Sequence, residues 1–264
     1  MKIKSIKLLF NPDLRKIQPE DYLRATGECF GLMILSSIIL TYFFYPELFN
    51  ENPILNRLGY NSIFISFLSY VPVNYVALIF GVFGVYFAIH YNRYDLLRTR
   101  LNSSELNSFK EKFSIYANLT YLFSLTAFLL VIFLNPENYP WANILIFIQF
   151  IFFRGLVVIA NYLEYDIPNN FYKNYVLINS ITSLIFISFL LINYINYDSC
   201  VASGGTSCKY TIPLYLGISI DYLWIIQGIL YTFLPFQGKA IELEYSASFD
   251  ENSVKGVSLL DEDN

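Results

Sequence analysis

The sequence predicts an all-α, polytopic integral membrane protein with six transmembrane helices and both termini in the cytoplasm. Of its 264 residues, 55% are hydrophobic and 14% are charged, whereas soluble domains are about 25% charged. No Asp, Glu, Lys or Arg occurs in five runs of 17 to 35 residues, at 29–46, 58–92, 113–136, 174–197 and 222–238. A membrane-crossing helix needs about 20 mostly apolar residues. This pattern excludes a soluble enzyme, a nucleic-acid-binding domain and a disordered protein.

Six segments meet the length requirement, and together they define a transmembrane domain at 26–236. The predicted spans are 26–45, 66–91, 113–134, 141–163, 174–197 and 211–236. Only Arg154 interrupts the fourth span, and only Asp221 interrupts the sixth.

The distribution of basic residues predicts the orientation. With six spans, the N-terminal arm, the second and fourth loops and the C-terminal tail lie on one side and carry 14 Lys and Arg residues. The other side carries only Arg57 and Lys209. Because cytoplasmic segments are enriched in basic residues, both termini are expected in the cytoplasm of a plasma membrane or endomembrane protein.

The two flanking segments differ in charge. Residues 1–25 carry six basic residues and a short apolar patch at 6–10, which predicts a basic arm lying on the membrane surface. Residues 237–264 are polar and acidic, and we expect a disordered tail.

The cysteines indicate one disulfide. Cys200 and Cys208 lie in the fifth loop, separated by a flexible segment. If that loop faces an oxidising compartment, the two are expected to pair. With the opposite orientation, they would remain free thiols.

The residue types needed for most cofactor chemistry are scarce. His90 is the only histidine, whereas haem, di-iron and intramembrane zinc sites need more ligands of this kind. We therefore predict no metal, no cofactor and no catalytic residue.

Four ionisable side chains lie within or at the edges of the predicted spans. Glu28 and His90 are near the cytoplasmic ends of spans 1 and 2, and their similar depth predicts a polar pair at the inner interface. Arg154 and Asp221 lie deeper, at similar distances from the outer side. A charged residue near the bilayer centre costs about 2.5–3.5 kcal/mol, so we expect Arg154 and Asp221 to form an ion pair. The pair either holds two helices in register or lines a polar cavity for a lipid headgroup or an ion.

The last span and its exit carry the most specific pattern. Residues 217–224 read Gly-Ile-Ser-Ile-Asp-Tyr-Leu-Trp, an aromatic-rich exit follows at 231–237, and charged and apolar residues alternate at 241–244. The end of the second span at 90–97 is rich in Tyr and Arg. The chain thus resembles the six-span damage-regulated autophagy modulator family and the related FGF-receptor-activating-gene type proteins. The resemblance implies modulation of membrane lipid composition or of vesicle and autophagic traffic, without established catalysis.

These observations favour a non-enzymatic modulator of membrane lipid organisation, with membrane lipids as its partners. A second membrane protein or a homo-oligomer is left open as a further partner. The alternative is a small transporter or channel, in which Arg154 and Asp221 line the path. A lipid-modifying enzyme that uses Asp221, Glu28 or His90 is least favoured, because it needs at least two of these groups in one pocket and the predicted depths separate Asp221 from the other two.

Overall fold

The fold is known from a computed structural model of the chain. It describes residues 4–10, 16–62, 71–101, 108–132, 134, 138–164, 170–205, 208, 212–233, 240–245 and 254–259.

Within these ranges the chain is almost entirely helical. The helices are α1 (Lys4–Phe10), α2 (Pro19–Phe44), α3 (Pro53–Leu58), α4 (Val73–Leu101), α5 (Ser108–Phe128), α6 (Pro140–Glu164), α7 (Asn170–Ala202) and α8 (Leu214–Phe233). Short 3-10 turns follow α2 and α5, at Pro46–Phe49 and Leu129–Ile132. By length and composition, α2, α4, α6 and α7 are apolar enough to cross a membrane. This agrees with the predicted class, a helical membrane protein.

The six long helices form a closed ring in which neighbours follow the chain order. Each of α4, α5, α6, α7 and α8 contacts its predecessor, and α8 returns to contact α2. The most extensive contact joins α2 to α4, where Gly81 and Gly84 are both buried. Short α1 packs on α2, and α3 packs on α7.

A small antiparallel sheet lies at one end of the bundle. Its strand order is β1 (Lys16–Ile17), β2 (Ile241–Tyr245) and β3 (Val254–Leu259). Ile17 and Ile241 are buried in the same apolar cluster as Tyr91 of α4 and Tyr172 of α7. We call this the sheet end, and the end that carries α3 is the opposite end.

The expectation of a disordered segment over 237–264 is therefore wrong for β2 and β3. The alternation Ile-Glu-Leu-Glu-Tyr in β2 has the two-residue period of a strand, and β2 pairs with both β1 and β3. The residues of this segment at 237–239, 246–253 and 260–264 lie outside the described ranges.

Side-chain burial on α2 is the reverse of that in a soluble helix. Four of its large apolar residues are exposed: Leu32, Leu35, Ile39 and Phe43. Its buried positions include Thr26, Cys29, Ser37 and Thr41. Small and weakly polar residues favour close helix packing in lipid, while the apolar face meets acyl chains. This pattern supports burial of the bundle in a membrane.

Aromatic rings fill the middle of the bundle. The ring centroid of Phe147 in α6 lies close to three other ring centroids. It is 6.2 Å from that of Phe128 in α5, 6.1 Å from that of Phe186 in α7 and 5.7 Å from that of Trp224 in α8. Phe30 of α2 lies 6.3 Å from Phe128. Rings from five helices thus form one apolar layer, which separates the polar groups at the two ends.

Two helix boundaries differ from the predicted spans in a way that matters for function. Helix α2 begins at Pro19 rather than at 26, with Glu20 and Asp21 in its first turn. Carboxylates at this position interact favourably with the helix dipole. Helix α4 continues to Leu101, ten residues beyond the predicted end of the second span. The part of the second loop at 92–101 is therefore helical.

The α2–α4 contact provides a test of the packing. A Cβ atom at Gly84 would lie 3.0 Å from the ring of Phe30, whereas one at Gly31 would have no neighbour within 4 Å. We expect Gly84→Val to destabilise the protein by about 1–3 kcal/mol through overpacking. The measurement is thermal unfolding of the purified protein in detergent. Gly31→Val is the matched control, and equal unfolding midpoints for the two variants would contradict this packing.

Candidate functional site

A buried charged cluster joins the first two long helices at the sheet end. Arg98 of α4 donates from Nη1 to Glu20 Oε1 and from Nη2 to Asp95 Oδ1, each at 2.6 Å. Arg98 is 1% exposed, Glu20 4% and Asp95 0%. We call Glu20, Asp95 and Arg98 the Arg98 cluster. Such short charge-assisted bonds offset part of the large cost of removing three ionisable groups from water.

Neutral polar groups extend the cluster to α5 and α6. Asn118 of α5 donates from Nδ2 to Asp95 Oδ2 at 2.8 Å. The Tyr91 hydroxyl lies within hydrogen-bonding reach of Asp95 and accepts from Asn161 Nδ2 of α6 at 3.0 Å. Four consecutive members of the helix ring therefore meet through one polar network.

Sequence reasoning missed the Arg98 cluster because it placed Arg98 in a surface loop and Glu20 in the arm. The signal was the spacing of polar residues on one face of α4. Buried residues there include Tyr91, Asn92, Asp95, Arg98 and Thr99, which follow the helical period of 3.6. A continued helix would have placed Asp95 and Arg98 one turn apart on the buried face.

The expected ion pair between Arg154 and Asp221 is absent from the ion pairs of the described residues. Arg154 lies against α8 at Trp224 and Gly228. Asp221 is seven residues before Gly228, about 10 Å along the helix axis. The two side chains therefore lie at different depths, and the prediction that depth alone would bring them together is wrong.

Asp221 is held at the opposite end of the bundle. Ser62 Oγ lies 2.6 Å from Asp221 Oδ2, and Asp221 is 0% exposed. Its Oδ1 atom has no hydrogen-bond partner among the described residues. Tyr60 packs on Gly217, where a Cβ atom would lie 2.8 Å from the ring. Burial, with the nearby Asp221 carboxylate, raises the pKa of the Tyr60 hydroxyl.

Arg154 is buried among aromatic rings. Its guanidinium carbon lies 5.0 Å from the Trp224 ring centroid, a cation–π contact. At Gly228, a Cβ atom would lie 2.7 Å from Arg154 Nη1, so glycine provides the space that the guanidinium occupies. The Tyr175 hydroxyl lies within hydrogen-bonding reach of the guanidinium, and the Tyr121 hydroxyl is near enough to interact with it electrostatically.

Glu28 and His90, the predicted pair at the inner interface, have different partners. Glu28 Oε2 accepts from both the backbone N–H and the hydroxyl of Ser5, each at 2.8 Å. A carboxylate at the start of α1 favours that helix and attaches it to α2. The His90 ring lies 4.6 Å from the Tyr86 ring and 5.6 Å from the Tyr22 ring. It is therefore packed among aromatic side chains.

The opposite end carries the disulfide and a second set of polar contacts. Cys200 and Cys208 are bonded, in agreement with the pairing expected for an oxidising compartment. Two residues before Cys200, Asp198 accepts from Trp141 Nε1 at 2.6 Å and lies 3.6 Å from Arg57 Nη2. These contacts join α3, α6 and α7.

A cavity of about 180 Å³ opens behind α1 at the sheet end. Its lining comes from α1, β1 and the start of α2: Lys7, Leu8, Lys16, Ile17, Gln18, Asp21 and Tyr22. The outer face of α1 exposes Ile6, Leu9 and Phe10. The arm thus combines an apolar surface with a cavity that has two lysines and one carboxylate.

No group of three or more His, Cys, Asp or Glu residues suited to a metal ion occurs in the part of the chain that the structure describes. Comparisons with protein-family models, with characterised proteins and with solved structures gave no match. Evidence for the function of this protein therefore comes from the geometry of these sites.

The Arg98 cluster yields a prediction about stability. Arg98→Leu leaves two buried carboxyl groups without their cation, and we expect a loss of about 3–5 kcal/mol in the free energy of unfolding. Arg100→Leu, an exposed position on the same helix, is the matched control and should change stability by less than about 0.5 kcal/mol. Thermal unfolding in detergent measures both.

The triple variant Glu20→Gln, Asp95→Asn, Arg98→Leu separates charge from packing. It should be more stable than Arg98→Leu alone, because no carboxylate is then left without a cation. If the triple variant is the least stable of the set, the cluster contributes through packing and not through charge compensation.

Proposed function

We propose that the chain is a six-span integral membrane protein that modulates membrane lipid organisation by binding lipids, without catalysis. Both termini lie in the cytoplasm, and the arm binds the inner leaflet. Six helices of 20 to 33 residues in a closed ring support this number of spans. The resemblance to the autophagy modulator family favours a role in vesicle or autophagic traffic.

The observation that carries the proposal is the arm at the sheet end. An in-plane helix with an apolar outer face and basic residues is the usual form of a membrane-surface anchor. In α1, Ile6, Leu9 and Phe10 are exposed on the outer face, while Glu28 attaches the helix to α2. In the proposed orientation, the exposed apolar face lies where acyl chains and headgroups meet.

The cavity behind α1 supplies the second half of the binding site. Lys7 and Lys16 contribute positive charge, while Leu8 and Ile17 supply apolar walls. Its volume of about 180 Å³ suits a headgroup better than a drug-sized molecule, which needs about 300 Å³ or more. An anionic phospholipid could place its phosphate between the lysines and its acyl chains along α1.

This proposal predicts weaker binding of anionic lipid by the double variant Lys7→Gln, Lys16→Gln. Each near-surface lysine contributes about 1 kcal/mol, so we expect about a 30-fold loss of affinity. The measurement is retention of phosphatidylglycerol over phosphatidylcholine in nanodiscs of mixed lipid, quantified by mass spectrometry.

The matched control is Lys112→Gln, Lys173→Gln, which removes the same charge from exposed positions on α5 and α7. The control should retain most of the preference for phosphatidylglycerol. An equal loss in the two double variants would mean that lipid selectivity comes from overall surface charge, and the cavity would then not be the binding site.

A second function, ion transport, is favoured by the separation of Asp221 from Arg154. Neither charge has an opposite partner among the ion pairs of the described residues, although each is buried in the bundle. Intramembrane ionisable groups of this kind frequently mark ion pathways. They lie on the two sides of the aromatic layer, so transport would require movement of those rings.

If the protein carries protons, Asp221→Asn should abolish proton flux into liposomes, because the amide cannot exchange a proton. A pH-sensitive dye inside the vesicles measures the flux. Asp198→Asn, a partly exposed carboxyl at the same end, is the control and should retain flux. Equal flux in wild type, Asp221→Asn and protein-free vesicles would exclude proton transport.

A further inference from the structure

Arg154 is a cation deep in the bundle that lacks a carboxylate partner among the described residues. It is 8% exposed and lies fourteen residues after Pro140 and ten before Glu164 within α6. The nearer helix end is thus about 15 Å away along the axis. The only acidic residue of α6 is Glu164, at this nearer end.

The guanidinium retains an unused donor. Arg154 Nη2 is buried and has no hydrogen-bond partner among the described residues. The Trp224 face contacts the cation at 5.0 Å, but such a contact supplies no acceptor atom. A buried, charged donor without an acceptor is costly, and a bound anion would remove that cost.

Neutral polar groups surround this position at the same level. Tyr175 donates its hydroxyl to the Gln227 carbonyl at 2.8 Å, and Gln227 Nε2 donates to Thr182 Oγ1 at 3.3 Å. Tyr175, Thr182 and Gln227 are all buried. The region is therefore polar without containing a described negative charge, which suits an anion better than a second cation.

We propose that Arg154 forms a binding site for a small inorganic anion such as chloride, between α6 and α8 beside Trp224 and Gly228. The depth of Arg154 excludes a lipid phosphate as the ligand, because headgroups lie outside the hydrocarbon core, whose half-thickness is about 15 Å. The site needs neither the lipid-binding arm nor transport across the membrane.

Trp224 provides a local probe of this site. The chain has only two tryptophans, so Trp141→Phe leaves Trp224 as the sole indole. Bromide, a heavy-atom analogue of chloride, quenches indole fluorescence on contact. In titrations of the purified full chain with sodium bromide, balanced with sodium gluconate, we expect saturable quenching of Trp224.

Two variants in the Trp141→Phe background test the assignment to Arg154. Arg154→Gln should remove the saturable component and leave only linear, collisional quenching. Gly228→Ala retains the charge but places a Cβ atom 2.7 Å from Nη1, which displaces the guanidinium. We expect it to weaken bromide binding by about tenfold, since charged hydrogen bonds depend on geometry.

A second measurement does not depend on the tryptophan substitution. Chloride should raise the thermal unfolding midpoint of the wild-type protein relative to gluconate at the same ionic strength, and it should leave Arg154→Gln unchanged. Linear quenching in the Trp141→Phe protein, or an equal response to chloride in wild type and Arg154→Gln, would overturn the proposal.

Discussion

The double ion pair of Arg98 is the interaction on which the rest of the fold depends. Burial of a guanidinium that is 1% exposed is costly, and the two carboxylates that approach Arg98 closely offset much of that cost. Glu20 comes from the first turn of α2, and Asp95 comes from the turn before Arg98 on α4. The pairing therefore sets the start of α2 and the length of α4, and it aligns the two helices in register.

Helix α2 turns small and polar side chains towards the bundle interior and large apolar side chains outwards. In lipid, apolar burial supplies little force between helices, so packing and hydrogen bonds hold them together. The buried side of α2 has small and hydroxyl side chains, while its outer side has Leu, Ile and Phe. Asn118, Asn161 and Tyr91 then connect successive helices in the ring. The helices thus meet through polar groups as well as through the aromatic layer.

The aromatic layer divides the interior into two polar regions with different chemistry. At the sheet end lie the Arg98 cluster and the arm that attaches through Glu28. At the opposite end lie Asp221 with Ser62, and Asp198 with Trp141 and Arg57. Arg154 sits beside the layer, on the sheet side of Trp224. A large ring between two charges keeps them apart, and this arrangement makes one buried cation available for a ligand.

The sequence by itself determined the class of protein, because runs of apolar residues of membrane length have few other stable structures. It also located the six long helices, with ends that differ from the predicted ones by up to ten residues, and identified Cys200 and Cys208 as a pair. Tertiary structure alone decided which polar groups meet. Depth along a helix is readable from sequence, but rotation about the helix axis and the choice of neighbours depend on packing. Arg154 and Asp221 have similar predicted depth and different partners, and Arg98 lies outside every predicted span and inside the bundle. The tail strands β2 and β3 pair locally, but β2 also pairs with β1 from the other end of the chain, a long-range pairing that local pattern cannot specify.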